Sequence, residues 1–261
     1  MADVVGRVGR RALQHFAPLY VQQGQVDFVV ANCENAAAGF GLTPKLVTQI
    51  LAAGVDVITT GNHVWAHKEV YELADKEPRF LRPANYPPEV PGSGWRVLRA
   101  CNEVEVGVVN LCGRIFMDPL DCPFRTIDAV LEALRPQTQV VVIDFHAEAT
   151  SEKVAFGRYV DGRASAVVGT HTHVQTADER ILPQGTAYIT DCGMTGAVES
   201  VIGMEPEAVI RRFVTRMPVK FEAAKGDGVF QGIIVEVDPK TGKALDIQRV
   251  NEPFGAQLSV A

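Results

Sequence analysis

Short apolar runs alternate along this chain with longer segments in which apolar side chains recur every three or four positions. Residues 26–31, 55–60, 140–145 and 164–169 are rich in Val, Ile and Ala, the composition of buried strands. Residues 10–21, 43–53, 68–75, 127–134, 151–159 and 206–216 carry the helical period, and Thr43-Pro44 supplies a cap and a first turn. Such alternation is the grammar of βαβ units. Residues 80–83 read as short and extended, and 95–100 with 105–111 as a hairpin around Cys101-Asn102-Glu103, so the sheet becomes mixed. Residues 186–190 add a strand, and 219–223, 230–237 and 244–249 form an antiparallel ending with a turn at 238–242. The pattern predicts an α/β fold of two mixed sheets packed face to face with helices outside, a four-layer α-β-β-α sandwich.

Composition narrows this picture. A chain of 261 residues, 47% hydrophobic, without a linker-like stretch or an internal repeat, is expected to be a single catalytic domain over 1–261. A net charge of −6 argues against a broad basic face for long nucleic acid, while leaving room for a local anion pocket. Neither a signal-like N-terminus nor an apolar stretch of bilayer length is present, so no membrane partner and a cytoplasmic location are expected. The five cysteines are scattered, and none is in Cys-x-x-Cys spacing, which predicts neither disulfides nor structural zinc. Cys33 and Cys192 read as small packing residues rather than nucleophiles.

The chemistry lies at the strand ends. Four apolar runs lead into groups suited to metals: Cys33-Glu34-Asn35, Gly61-Asn62-His63, Asp144-Phe145-His146 and Gly169-Thr170-His171-Thr172-His173. Side chains alternate along an extended segment, so His171 and His173 share one face. In open α/β sheets ligands bind beyond the carboxyl ends of strands, where all these groups fall. Carboxylate, imidazole and amide oxygen together suit a divalent ion such as Fe, Mn or Zn. Glu34 could bridge two of them. A pair of ions roughly 3.5–4 Å apart polarises a phosphoryl group and lowers the pKa of a bridging water, which makes phosphoester hydrolysis the leading chemistry.

Gly61-Asn62-His63 and Gly169-Thr170-His171-Thr172-His173, with an aspartate upstream and a lone histidine between them, resemble the signature of calcineurin-like metallophosphoesterases. Asp3-Val4-Val5-Gly6-Arg7, Asn32-Cys33-Glu34-Asn35-Ala36 and the stretches 144–153 and 161–168 resemble the YmdB-type branch, described as 2′,3′-cyclic-nucleotide 2′-phosphodiesterases. The resemblance covers nearly the whole chain. It implies two divalent metal ions, with Fe or Mn expected, and a small cyclic nucleotide as substrate. It places one ion on Asp3, Glu34, Asn35 and His173, and the other on Glu34, Asn62, His146 and His171. It makes His63 the proton donor to the leaving oxygen after attack by a metal-bridging hydroxide. A homo-oligomer is compatible with the sequence.

Two departures bear on the site. Val5 and Glu34 stand where the wider superfamily has a histidine and an aspartate, as is typical of this branch. Relatives present the first aspartate at the end of an apolar strand, whereas only Met1 and Ala2 precede Asp3. The first strand is therefore expected to be truncated and the natural start to lie upstream. A chain beginning at Met1 is expected to tether Asp3 on one side only, weakening the first metal. Arg7 and Arg10 could attract a phosphate but read mainly as surface charge. Arg114 and the loop 82–91 could shape the pocket, and Tyr188, Asp191 and Thr195 could support it. His15 reads as a helix-surface residue, and His63 with His67 lacks the glutamate of a zincin motif. The same constellation would serve a phosphomonoesterase, a nuclease or an amidohydrolase. A regulatory or scaffolding protein with a vestigial or sensory metal site is the alternative from another class.

Overall fold

The protein is described here by a computed structural model covering residues 1–258, so the last three residues of the expected 1–261 domain lie outside the described residues. Along the chain run β1 (Asp3–Val4), α1 (Gly6–Gln22), β2 (Val30–Asn32), α2 (Pro44–Ala52), β3 (Val57–Thr59), α3 (Val70–Lys76), β4 (Trp95–Arg99), β5 (Glu105–Cys112), α4 (Pro123–Leu134), β6 (Val140–His146), α5 (Thr150–Val160), β7 (Ala166–Thr170), β8 (Arg180–Ile181), β9 (Ala187–Ile189), β10 (Met194–Ala197), α6 (Pro206–Thr215), β11 (Gly228–Val237) and β12 (Ala244–Phe254).

The apolar runs form a six-stranded sheet in the order β4-β5-β6-β7-β9-β8. Its four inner strands are parallel, and its edges, β4 and β8, are antiparallel. Both faces are buried. Alternation sends Val109, Leu111, Val141, Ile143 and Phe145 toward Ile127 and Leu131 of α4 and Phe156 of α5. It sends Val106, Val108, Val140 and Val142 the other way, against Val30, Val57 and Leu81. The register sets Cys112 beside His146 and His146 beside Thr170, so the carboxyl ends finish level. This is what places His146 and the segment after β7 at one site.

A second group of strands carries its own helices. β11 and β12 form a long antiparallel pair, β10 joins β11, and β1 lies parallel to β10. Val8 and Ala12 of α1 pack on Phe230, Val250 and Phe254, while Val47 and Ile50 of α2 pack against Ala31 and Ile58.

Several expectations need correction. Hydrogen bonding divides the strands into three sheets rather than two, because β2 and β3 form a separate parallel pair. The expected strand over 26–31 is regular only from Val30. Its neighbours in space leave a cavity of about 720 Å³ between Phe28 and Val30, Ile233 and Val235, and Val142 and Val168, so its outer edge meets no ladder. Residues 219–223 form no strand, and their one β-bridge, Met204 to Ala223, lies outside the named strands. Conversely, β10 escaped the sequence pattern: Met194-Thr195-Gly196-Ala197 lacks the β-branched run of a strand yet is wholly buried.

β1 is a two-residue strand, but Asp3 is held on both sides. The Met1 ammonium donates to Val30 O at 2.8 Å. Asn32 N–H donates to Met1 O, Ala2 N–H to Gln231 O and Val5 N–H to Thr195 O. The expected one-sided tether is therefore not found, and Asp3 is fully buried.

Candidate metal centre

Each predicted ligand belongs to a strand or directly follows one, and the fold brings these strand ends to one place. Asp3 belongs to β1 and His146 ends β6. Glu34 and Asn35 follow β2, Asn62 and His63 follow β3, and His171 and His173 follow β7. The backbone is bent to achieve this. His171 and His173 both have positive φ, 98° and 64°, a conformation costing a side-chain-bearing residue about 1–3 kcal/mol. A β-carbon on Gly61 would overlap the His146 ring, so only glycine lets the Asn62 turn approach it.

The hydrogen bonds around the three imidazoles assign their protons. His146 Nδ1 lies 2.9 Å from Thr170 Oγ1, which itself donates to Asp144 Oδ1 at 2.7 Å. The hydroxyl can therefore only accept from His146, putting the ring proton on Nδ1 and leaving Nε2 a lone pair. His173 Nδ1 lies 2.9 Å from the carbonyl of Ile202, an acceptor, so its Nε2 is likewise free. His171 Nε2 is 3.1 Å from Glu148 Oε2, which leaves Nδ1 facing inward. Outward N–H groups anchored on acceptors are the arrangement of metal-ligating histidines.

The inward atoms face one another. His146 Nε2 stands 3.0 Å from His171 Nδ1, from Asn62 Oδ1 and from Glu34 Oε1. His173 Nε2 is 3.7 Å from Asp3 Oδ1. Among the described residues, only three buried side-chain oxygens lack a hydrogen-bond partner, and Asp3 Oδ1 and Glu34 Oε1 are two of them. The short approach of Glu34 Oε1 to His146 lies off the line a ring N–H would need. Orphaned buried oxygens cost about 1–3 kcal/mol each, so these fit a cation rather than each other. Glu34, His146 and His171 offer atoms within 4.8 Å of one another, a spacing one ion could span.

The site's charge points the same way. Burial opposes the charged form of His146, but Glu34 and Asp3 outweigh it and push its pKa up to about 9. Burial and the neighbouring His146 bring His171 down to about 3. The rise at His146 marks an excess of negative charge around Nε2, which a cation would neutralise in place of a second ring proton, leaving the lone pair available. Asp3 stays ionised, since His173 and His146 overcome its burial.

Asn35 is the exception among the ligands. Its amide turns Nδ2 toward His173 Nε2 at 3.2 Å and Oδ1 toward His63 Nδ1 at 2.8 Å. Ligation would require the oxygen on the His173 side, a half-turn of the amide. His63 sits apart from the imidazole cluster. It is packed edge-on to Phe40 at 4.9 Å and lines a cavity of about 510 Å³ with Glu34, His171 and His173.

Other residues singled out in the sequence fall elsewhere. Arg10 donates to the carbonyl of Ala36 and Arg114 to Cys122 Sγ, so neither guanidinium reaches the centre. Arg82 is buried and holds the loop through Pro83 O and Pro91 O. His67 Nε2 contacts Phe40 O at 3.1 Å and supports that loop instead of the centre. Cys33 and Cys192 are buried, with thiol pKa values raised by burial, as packing residues would be. Asp191 supports the histidine turn: it accepts from Thr172 N–H, Thr172 Oγ1 and the buried Lys153 Nζ, the last at 2.7 Å. Sequence reasoning gave no role to Thr170, Glu148 or Lys153. Their neighbours in sequence, His146 and His171, were the available signal.

A family model described as YmdB-like protein matches residues 1–250. The chain is 48% identical over 250 residues to the 2′,3′-cyclic-nucleotide 2′-phosphodiesterase of Bacillus subtilis, covering 96% of this chain and 94% of the relative. A crystal structure of a hypothetical protein from Thermus thermophilus matches with a TM-score of 0.91 at 43% identity, covering 97% of each chain. That of a novel phosphatase from Mycoplasma pneumoniae matches at 0.90 and 35%, covering 98% of this chain and 92% of the other.

Proposed function

Because the chain belongs to the YmdB-like family, we propose that it is a dinuclear metal-dependent phosphodiesterase acting on 2′,3′-cyclic nucleotides, built as a four-layer α-β-β-α sandwich. The observation that supports this most is the cluster of inward lone pairs: His146 Nε2 and His171 Nδ1 beside the partnerless Asp3 Oδ1 and Glu34 Oε1. Asp3, Glu34, Asn35 and His173 would hold one ion, and Glu34, Asn62, His146 and His171 the other. Fe or Mn suits this oxygen and imidazole set. When bound, such ions neutralise phosphoryl charge and lower the pKa of water.

The chain's own groups do the rest. Thr170, Glu148 and Ile202 keep the ring protons outward, so the inner nitrogens stay available. His63 donates a proton to the departing ribose oxygen. It lines the cavity where the ester would lie. Phe40 packs edge-on to the His63 ring.

The test is hydrolysis of 2′,3′-cyclic AMP by anaerobically purified protein with added Mn or Fe. Turnover is expected, with kcat reduced about 10²–10⁴-fold in His63→Ala while metal content persists. A metal-loaded protein that turns over no phosphodiester, or a His63→Ala variant with full kcat, would refute the assignment.

A further inference from the structure

Helix α6 is out of keeping with the other helices. Of its ten residues only Val209 is buried. Ile210, Phe213 and Val214, spaced i, i+3 and i+4, are 56%, 70% and 77% exposed, so its apolar stripe faces solvent, and Met217, just past the left-handed Arg216 that ends the helix, is 62% exposed. A helix this short is marginal in water without packing. The stripe adjoins the metal centre, for the cavity of about 510 Å³ runs from Glu34, His63 and His173 to Arg212, Phe213 and Arg216.

The charges beside the stripe identify what it fits. Residues 208–220 contain Arg211, Arg212, Arg216 and Lys220 and no carboxylate, in a chain of net charge −6. Among the described residues, neither Arg212 nor Arg216 forms an ion pair; the Arg212 guanidinium lies 6.0 Å from the Phe221 ring. An exposed ring, Phe213, and a half-buried one, Phe221, among cations without ion pairs have the composition of a single-strand nucleic-acid surface, where bases stack and cations take phosphates. A two-fold contact with a second copy would bring four cations from each side to one interface, with Glu205, Glu207 and Glu222 as the carboxylates flanking them in sequence.

We propose that α6 and Phe221 bind the strand leading to a 3′-terminal 2′,3′-cyclic phosphate, so that the substrate is the end of a short oligoribonucleotide rather than a free mononucleotide. This rests on the phosphodiesterase reading above. The terminal cyclic phosphate enters at His63 and the metal centre. The preceding bases lie on Phe213, and their phosphates face Arg212 and Arg216. The acidic remainder of the surface confines the contact to a few nucleotides.

The experiment compares kcat/KM of the metal-loaded full chain for 2′,3′-cyclic AMP and for an adenylate tetramer ending in a 2′,3′-cyclic phosphate. A tetramer preference of about tenfold or more is expected, since each stacked base contributes substantially. Phe213→Ala and the double variant Arg212→Ala/Arg216→Ala should bring the ratio toward one. The double variant should also flatten the rise of tetramer KM with salt. A ratio of one or below in the unaltered protein, or one that no variant moves, would overturn the proposal. So would a dimer in sedimentation that Phe213→Ala dissociates while the ratio stays put, because the stripe would then belong to a second copy. Anisotropy of a labelled tetra-adenylate with a 3′-hydroxyl separates the two readings. Binding that the double variant weakens supports the surface even if no diester is cleaved, and its absence counts against the surface even if cyclic AMP is hydrolysed.

Discussion

At the scale of single residues, the three imidazoles depend on partners that hold no metal themselves. Thr170 is the clearest, because its one hydroxyl both accepts from His146 and donates to Asp144. Thr170→Val keeps the shape and removes both bonds. Metal affinity is expected to fall about 10–100-fold, measured by competition with a chelating dye, and an unchanged affinity would show that packing alone orients the ring. Lys153 is a second case. Its ammonium is buried against Asp191 at 2.7 Å and also donates to Thr170 O. Lys153→Met leaves an unpaired carboxylate beneath the histidine turn, so unfolding in urea is expected to show a loss of about 3–5 kcal/mol. Without Lys153, only the hydrogen bonds from Thr172 and Gly193 oppose the rise that burial gives the Asp191 pKa, and the loss should shrink in Lys153→Met/Asp191→Asn.

At the scale of elements, the site is a matter of strand register and of turns that permit close approach. β5, β6 and β7 end level, so the centre needs only short turns to complete it. The turn after β3 is the tightest of these, because Gly61 meets the His146 ring with no room for a methyl group. Gly61→Ala is expected to leave the fold intact, by circular dichroism and Tm, while lowering the amount of metal bound per chain. Full metal occupancy in that variant would show that the turn can yield. Close approach also accounts for the positive φ of His171 and His173: a regular continuation of β7 would carry them past the other candidate ligands.

At the scale of the whole molecule, the apolar cavity of about 720 Å³ between β2 and β11 exceeds the one of about 510 Å³ at the candidate metal centre. Val30 and Ile233 flank it, and Met1 already bonds to β2 at its end. A five-residue Val/Ile segment fused before Met1 would continue β1 between the two open edges. Burying such a segment is expected to add about 2 kcal/mol and so raise Tm by roughly 4–8 °C. An unchanged Tm would show that the segment stays outside the cavity.

What the sequence by itself determined was the order of most strands and helices and which strand ends carry metal-suited groups. Buried parallel strands must be apolar and surface helices amphipathic, so 140–145 and 127–134 announce themselves as β6 and α4. Asn62, His146, His171 and His173 were legible because polar, metal-suited groups directly follow apolar runs, where strands meet the functional end of a sheet. Local pattern failed where pairing is made by distant partners. β10, without strand-like composition, is a strand because β1 and β11 bond to it, and 219–223, with such composition, finds no partner strand. Only the tertiary structure decided which nitrogen of each histidine faces inward, since that depends on acceptors contributed by Thr170, Glu148 and Ile202. It also decided that the apolar face of α6 points outward beside the site: periodicity reveals that a helix has such a face, but not what the rest of the chain leaves opposite it.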